Sequence, residues 1–410
     1  MFVISQKEKS MPIKVWLNNI EDIEEGCLEQ ARRLSKLPFI HKWVALMPDT
    51  HMGKGMPIGG VIATNGVIIP NAVGADIGCG VAFVQTQFEV NRLKEMTTPN
   101  GNVIQSIVGD ILRNIPVGFT WHKKKQDSYT TDIAMQNLHL YEGEKELLKE
   151  IKDSYHQIGT LGGGNHFIEL QENEEGKLAI MIHSGSRHLG NKVCNYFHKQ
   201  ASELNRKWYS EIPDEYKLAF LPVDSKEGQA YLNWMNFSLD FAKENREKMM
   251  SSVIEIINRY LDRYFGDNLE IKMSLNCHHN YVSLENHYGS DVWVHRKGAI
   301  RVRKDEYGII PGAMGISSYI VKGLETEESF NSCSHGAGRR YSRTAAKKNF
   351  SVESVINDLK DKDIILGKHK KSDVAEESCY AYKDIEEVIE NERDLVEPIM
   401  RLATVAVVKG

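Results

Sequence analysis

Apolar and polar positions along the chain mark out secondary structure before any residue is considered for chemistry. Val61-Ile62-Ala63-Thr64 and Val67-Ile68-Ile69 are two β-branched runs joined by Asn65-Gly66, the dipeptide most favourable to a tight turn, so this stretch predicts a β-hairpin. Another strand is expected from Val81 to Gln87. Between them lies Gly74-Ala75-Asp76-Ile77-Gly78-Cys79-Gly80, whose three glycines suit a bend with close backbone approach. A loop between buried strands is a common place for functional side chains.

The middle of the chain changes to a helical period. Asp224, with Glu227 three positions on, reads as a capping box opening a long amphipathic helix. Met235, Leu239, Met249, Val253, Ile257 and Leu261 fall mostly on steps of three, four or seven, which makes them a core-packing stripe. Short β-rich pieces follow around Trp293, Ile300 and Ile309-Ile310. The final Val405-Ala406-Val407-Val408-Lys409-Gly410 reads as a buried strand delivering one lysine at its tip. No fixed-period repeat or low-complexity linker divides the chain, so one catalytic domain over 1–410 is expected. Its fold class is α+β, with mixed β-sheets around a central pocket and helices inserted between strand-rich halves.

Composition narrows the function classes. With 41% hydrophobic and 26% charged residues, the 410-residue chain can bury a large core. No apolar run reaches the ~20 residues that span a bilayer, and the opening Met1 to Lys14 lacks a secretory core, so a cytoplasmic, non-membrane protein is expected. Six cysteines are too sparse for a disulfide scaffold and are read as free thiols.

A formal charge of −5 excludes a surface that is basic throughout, so any phosphate-binding surface must be local. The basic clusters are His122-Lys123-Lys124-Lys125, Lys368-His369-Lys370-Lys371, and Arg339-Arg340 with Arg343; solvated surface is the ordinary reading of the first two. No exposed aromatic platform is expected, which together with the acidic balance counts against a purely RNA-binding or metal-storage protein.

Several metal-competent residues sit among glycines and apolar neighbours, where an idle polar group is costly. They are Asp76 and Cys79, His166 after three glycines, His183 opening His183-Ser184-Gly185-Ser186-Arg187-His188, Cys277-His278-His279-Asn280, and His335 in Ser334-His335-Gly336-Ala337-Gly338-Arg339. One such histidine alone is more often a hydrogen-bonded core residue than a ligand. Five clusters without compact zinc-finger spacing point instead to ligands converging on one catalytic site. Successive strand residues face opposite ways, so only one of His278 and His279 can readily face a metal, and the sequence does not say which.

These motifs, with Met47 to Gly55, Pro311-Gly312-Ala313-Met314-Gly315 and Val408-Lys409-Gly410, resemble in content and order those of the RtcB family of RNA-splicing ligases. The resemblance implies two manganese ions, one held by Asp76, Cys79 and His166, the other by Cys79, His183 and His279. Softness alone would favour zinc at such a site, so manganese is the family's implication.

The same resemblance makes His335 the catalytic nucleophile that takes GMP from GTP. It places the nucleotide among Asn165, His166, Phe167, Ile168, Glu169, His279, Asn280, Pro311, Gly312, Ala313, Met314, Ser318, His335, Gly336, Ala337, Gly338 and Lys409. Lys409 and Glu169 suit the acceptor and donor edges of guanine. Arg187, Lys297, Arg339 and Arg343 are candidates for RNA phosphates, each with an internal salt bridge as the alternative. The implied substrates are RNA ends carrying a 3′-phosphate or 2′,3′-cyclic phosphate and a 5′-hydroxyl. A monomer, with an archease-like protein as a possible activator, is the expected state. His188 and Arg340 stand out from the family pattern and could tune which RNA ends are preferred. The rival reading is a metal-dependent phosphodiesterase using the same ligands without nucleotide, which has no need of His335 or Lys409.

Overall fold

A computed structural model describes residues 1–5, 10–98, 101–141 and 143–410, without the side chains of 371 and 372. The Lys371 side chain of one basic cluster, and residues 6–9 of the opening segment, lie outside the described residues. The fold is mixed α+β, as expected, and two large sheets organise it. The first runs in the order Phe2–Ile4, Ile13–Val15, Ile40–His51, Ile58–Thr64, Ser290–Lys297, Asn280–His287. The second runs Ile271–His278, Gly80–Glu89, Lys177–Ser184, Phe167–Asn173, Val396–Lys409, Ser318–Gly323, Tyr307–Ile310, with Ile365–Gly367 pairing parallel to Val396–Lys409.

The second sheet positions the site. Its antiparallel register aligns Val81, His183, Phe167 and Lys409 as one cross-strand row, and Met181, Glu169 and Val407 as another. Opposed residues share a face, so these side chains emerge on the same side of the sheet. The alternate set, including Ala82, Ile168, Ile182 and Val408, packs on the other side against the helices Val103–Asn114 and Lys226–Phe265. Ile168 is therefore a core residue whose side chain turns away from Phe167 and Glu169, contrary to its expected place at the nucleotide. The two sheets meet through a core that combines Ala45, Val61 and Val294 of the first with Ile310, Tyr319 and Val321 of the second.

The strand Gly80–Glu89 falls where the apolar run predicts it. The hairpin does not form. Ile58–Thr64 pairs with Ile40–His51 and Ser290–Lys297, while Val67–Ile68 crosses to Leu221–Pro222. Asn65-Gly66 does turn the chain, with Gly66 at φ +67°, but both flanking runs find other partners. The 40-residue helix Lys226–Phe265 buries Met235, Met249, Val253, Ile257 and Leu261 and half-buries Leu239. Its cap lies one residue later than the capping-box reading placed it. Ser225, not Asp224, accepts the Gly228 N–H at 3.0 Å. All six cysteines are free, and among the described residues no helix is long and apolar enough to cross a membrane.

Candidate active site

The glycine loop before Gly80–Glu89 carries Asp76 and Cys79 to the end of the second sheet. Main-chain bonds fasten it to the strand junction beyond: Gly78 N–H donates to Asn280 O at 2.9 Å, and His279 N–H to Cys79 O at 2.8 Å. Asn280 Nδ2 adds a bond to Asp76 O at 3.0 Å. Gly185 is required here because a Cβ at that position would run into the Asp76 carboxylate. Beneath the loop, the fully buried Arg246 of the long helix donates to Gly78 O at 2.9 Å and Ser184 O at 2.8 Å.

Donor atoms of Asp76, Cys79 and His166 lie within 4.8 Å of one another, and so do those of Cys79, His183 and His279. Cys79 is common to both sets. Its Sγ stands 3.4 Å from His166 Nε2 and 3.3 Å from His183 Nε2. The ambiguity between adjacent histidines is resolved by geometry, because His278 Nδ1 hydrogen-bonds Gly78 O at 3.0 Å while His279 joins the cluster. Burial, then the Asp76 carboxylate, push the Cys79 thiol well above its ordinary value. Burial likewise holds His183 and His279 well below theirs, with His166 and His335 as the next causes.

Two polar atoms in this cluster, Asp76 Oδ1 and His279 Nδ1, are buried without a protein hydrogen-bond partner. Such atoms are costly unless something else satisfies them. One thiolate, three imidazoles and one carboxylate form a donor set that fits a transition metal, which would also keep the thiol ionised.

A cavity of about 310 Å³ opens beside the cluster. It is lined by Asn165, Phe167, Glu169, Pro311 to Met314, His335 to Gly338 and Lys409, with His183 at its inner end. His335 sits at the boundary between cavity and cluster, its ring 4.7 Å from that of His279 and tilted at 71°. Buried Asp49 accepts at 2.6 Å from His335 Nδ1 and at 3.1 Å from the His335 main-chain N–H. That pairing fixes the tautomer, leaving Nε2 with the free lone pair. Ser318 does not line the cavity; its hydroxyl accepts the Gly312 N–H at 3.1 Å and so braces the lining loop. Asn280 and His166 act from the cluster side.

Glu377, unmarked by any sequence motif, belongs to the cavity wall and pairs with Lys409 at 2.9 Å. Burial alone would raise its carboxyl, but Lys409 and Arg339 overcome this and hold it down at about 2. Glu169 accepts from Gln171 Nε2 at 2.8 Å and from Thr404 Oγ1 at 3.4 Å, yet burial outweighs these and Lys409 and pushes it up to about 7.

The four candidate RNA cations separate. Lys297 is buried with its ammonium on the carbonyls of Lys54, Met56 and Asn71. Arg187 donates to Thr160 Oγ1 and Gly118 O. Arg339 is engaged by Glu377 and Tyr382. Arg343 is exposed at the cavity rim, its guanidinium lying against Gly164.

A histidine whose free nitrogen is set by a buried carboxylate faces a cavity of about 310 Å³ beside a metal-competent cluster, an arrangement suited to catalysis. Residues 30–410 match the family model described as tRNA-splicing ligase RtcB. An RNA-splicing ligase RtcB of Escherichia coli (strain K12) is 38% identical, covering 98% of both chains. A tRNA-splicing ligase RtcB of Nanoarchaeum equitans is 31% identical, over 98% of this chain and 96% of its own. A similar relative from Thermococcus kodakarensis is also 31% identical, with the same coverage. The chain belongs to the RtcB family, and this membership supports a role as an RNA ligase.

Proposed function

We propose that this chain joins RNA ends bearing a 3′-phosphate or 2′,3′-cyclic phosphate to 5′-hydroxyl ends, through GMP carried on His335. The observation that carries the reading is the Asp49–His335 pair at the boundary between the cavity and the cluster. With Nδ1–H donated to Asp49, His335 Nε2 is the nucleophile. It attacks the α-phosphorus of GTP, an N–P bond forms, and pyrophosphate leaves. An oxygen of the RNA 3′-phosphate then takes the GMP, breaking the N–P bond. Finally the 5′-hydroxyl oxygen attacks the activated RNA phosphorus, losing its proton, and GMP departs. A cyclic end must first be opened by water.

Asp76, Cys79 and His166 would hold one manganese ion, and Cys79, His183 and His279 a second; such a pair polarises the attacking and departing oxygens of phosphoryl transfer. Pro311 to Met314 and Gly336 to Gly338 let the main chain approach the nucleotide. Guanine is placed between Glu169 and Lys409, with Glu377 holding the Lys409 ammonium. The cavity draws its walls from residues between 24 and 409, consistent with one catalytic unit over the whole chain.

The test is incubation with radiolabelled GTP and manganese, denaturation, and mapping of the label by mass spectrometry. Label on His335, absent from His335→Ala, is expected. A protein that cleaves RNA ends yet takes up no label would be the metal-dependent phosphodiesterase instead. Lys409→Ala should lose the preference for GTP over ATP in the same assay; an unchanged preference removes Lys409 from guanine recognition.

A further inference from the structure

The segment from Pro116 to Gln126 has two exposed aromatic side chains next to the site, against the expectation that the surface would lack such a platform. Phe119 is 102% exposed and Trp121 39%. The segment is held rather than dangling. Leu161 N–H donates to Pro116 O at 3.0 Å, Gly118 N–H to Gly162 O at 2.8 Å, His122 N–H to His156 O at 2.9 Å and Gln126 N–H to Tyr155 O at 2.9 Å. Gly118 is the hinge between this loop and the chemistry. Its carbonyl accepts from Arg187 at 2.7 Å, and its Cα approaches the glycine turn that leads to His166.

Beside the aromatics the charge is positive. Lys123 and Lys124 are exposed, and no hydrogen bond or ion pair engages either ammonium among the described residues. Lys125 packs over the Tyr155 ring at 4.5 Å. Trp121 stands against the exposed His188 ring at 6.4 Å. Across the Gly162 to Gly164 turn, which Gly118 approaches from one side, Arg343 adds a further cation at the edge of the cavity.

One exposed aromatic ring is ordinary, but two within three residues, on a segment whose main chain is held and beside unengaged lysines, make a local patch a partner can cover. Aromatic faces interleaved with free lysines are what unpaired nucleotides require, the rings for stacking bases and the ammoniums for backbone phosphates. An acidic protein partner would satisfy the lysines but leave the rings idle. We propose that Phe119 and Trp121 form a stacking platform for the unpaired bases next to one of the joined RNA ends, with Lys123 and Lys124 on the adjoining phosphates. This rests on the ligase reading for its biological use, but the binding itself can be measured separately.

The experiment has two arms. In the first, the affinity of a fluorescein-labelled single-stranded oligoribonucleotide is followed by polarisation. Phe119→Ala with Trp121→Ala should weaken it about tenfold or more. Lys123→Glu with Lys124→Glu should flatten the salt dependence by about 0.7 in log–log slope for each phosphate no longer neutralised. In the second, ligation is compared between ends with several unpaired nucleotides and the same ends recessed in a duplex. The double aromatic variant should raise KM for the unpaired ends alone, with kcat and GTP labelling unchanged.

Unchanged oligonucleotide affinity overturns the platform, as does an equal loss on both substrates. A variant that binds RNA normally but changes its oligomeric state would show that a second copy of the chain occupies the patch. If the wild-type protein neither labels nor ligates, the ligase reading fails, while the polarisation arm still decides the platform.

Discussion

At the scale of single residues, Asp49 shows what spacing along a sequence conceals. It lies 286 positions from His335, inside a run whose resemblance to the family assigns it no role, yet it is the group that sets the His335 tautomer. His335 itself was singled out only through the family resemblance, because its glycine-rich surroundings suit a hydrogen-bonded turn histidine equally well. Asp49→Asn keeps the shape but removes the charge that stabilises a proton on Nδ1. GTP labelling should fall by roughly 10² to 10⁴-fold with the fold intact, measured as label per folded protein.

Glu392, like Glu377, is marked by no sequence pattern. Burial pushes it up to about 8, with Asp49 adding to the rise and its bond from Ser334 N–H opposing it. The folded state therefore holds a proton that the unfolded chain releases near an ordinary carboxylate value. Stability linked to that proton is complete below about pH 4.5 and is lost as pH climbs through about 8. Thermal melts should show the wild type losing several degrees between pH 5 and 8.5, with Glu392→Gln visibly flatter over that window. Parallel curves for the two proteins would remove Glu392 as the cause.

At the scale of elements, strands with strong apolar runs were readable and their partners were not. Gly80–Glu89 and the terminal strand ending at Lys409 sit where the pattern puts them. Asn65-Gly66 misled because turn chemistry is local, whereas the pairing of Val67–Ile68 with Leu221–Pro222 is decided by distant apolar surface. The long helix was legible as a core stripe, but its one functional service was hidden. Arg246 sits inside that stripe and ties Gly78 and Ser184, one on each side of Cys79 and His183, with a further bond to Asn276 Oδ1 at 2.8 Å. Arg246→Met preserves bulk and helix propensity while freeing the loop. Metal affinity should drop by about 10 to 100-fold, read by metal titration, while the helix signal in circular dichroism is retained.

At the scale of the whole molecule, the cluster joins parts of the chain that are otherwise remote. Asp76 and Cys79 come from the loop before one strand, His166 from the turn before another, His183 from the middle of the second sheet, and His279 from the junction between the two sheets. The motifs could be read from sequence, but their convergence depends on strand order, which no local pattern carries. An ion bound there ties the sheets to each other, and it binds the folded state far better than the unfolded one. At 100 times the dissociation constant such binding is worth about 2.7 kcal/mol, and more at tighter occupancy. Chelation followed by dialysis should therefore lower the melting temperature, and added manganese should restore it in a concentration-dependent way. Cys79→Ala removes the donor common to both ligand sets, so its melting temperature should no longer respond to manganese. A response that persists undiminished in Cys79→Ala would place the stabilising ion elsewhere in the molecule.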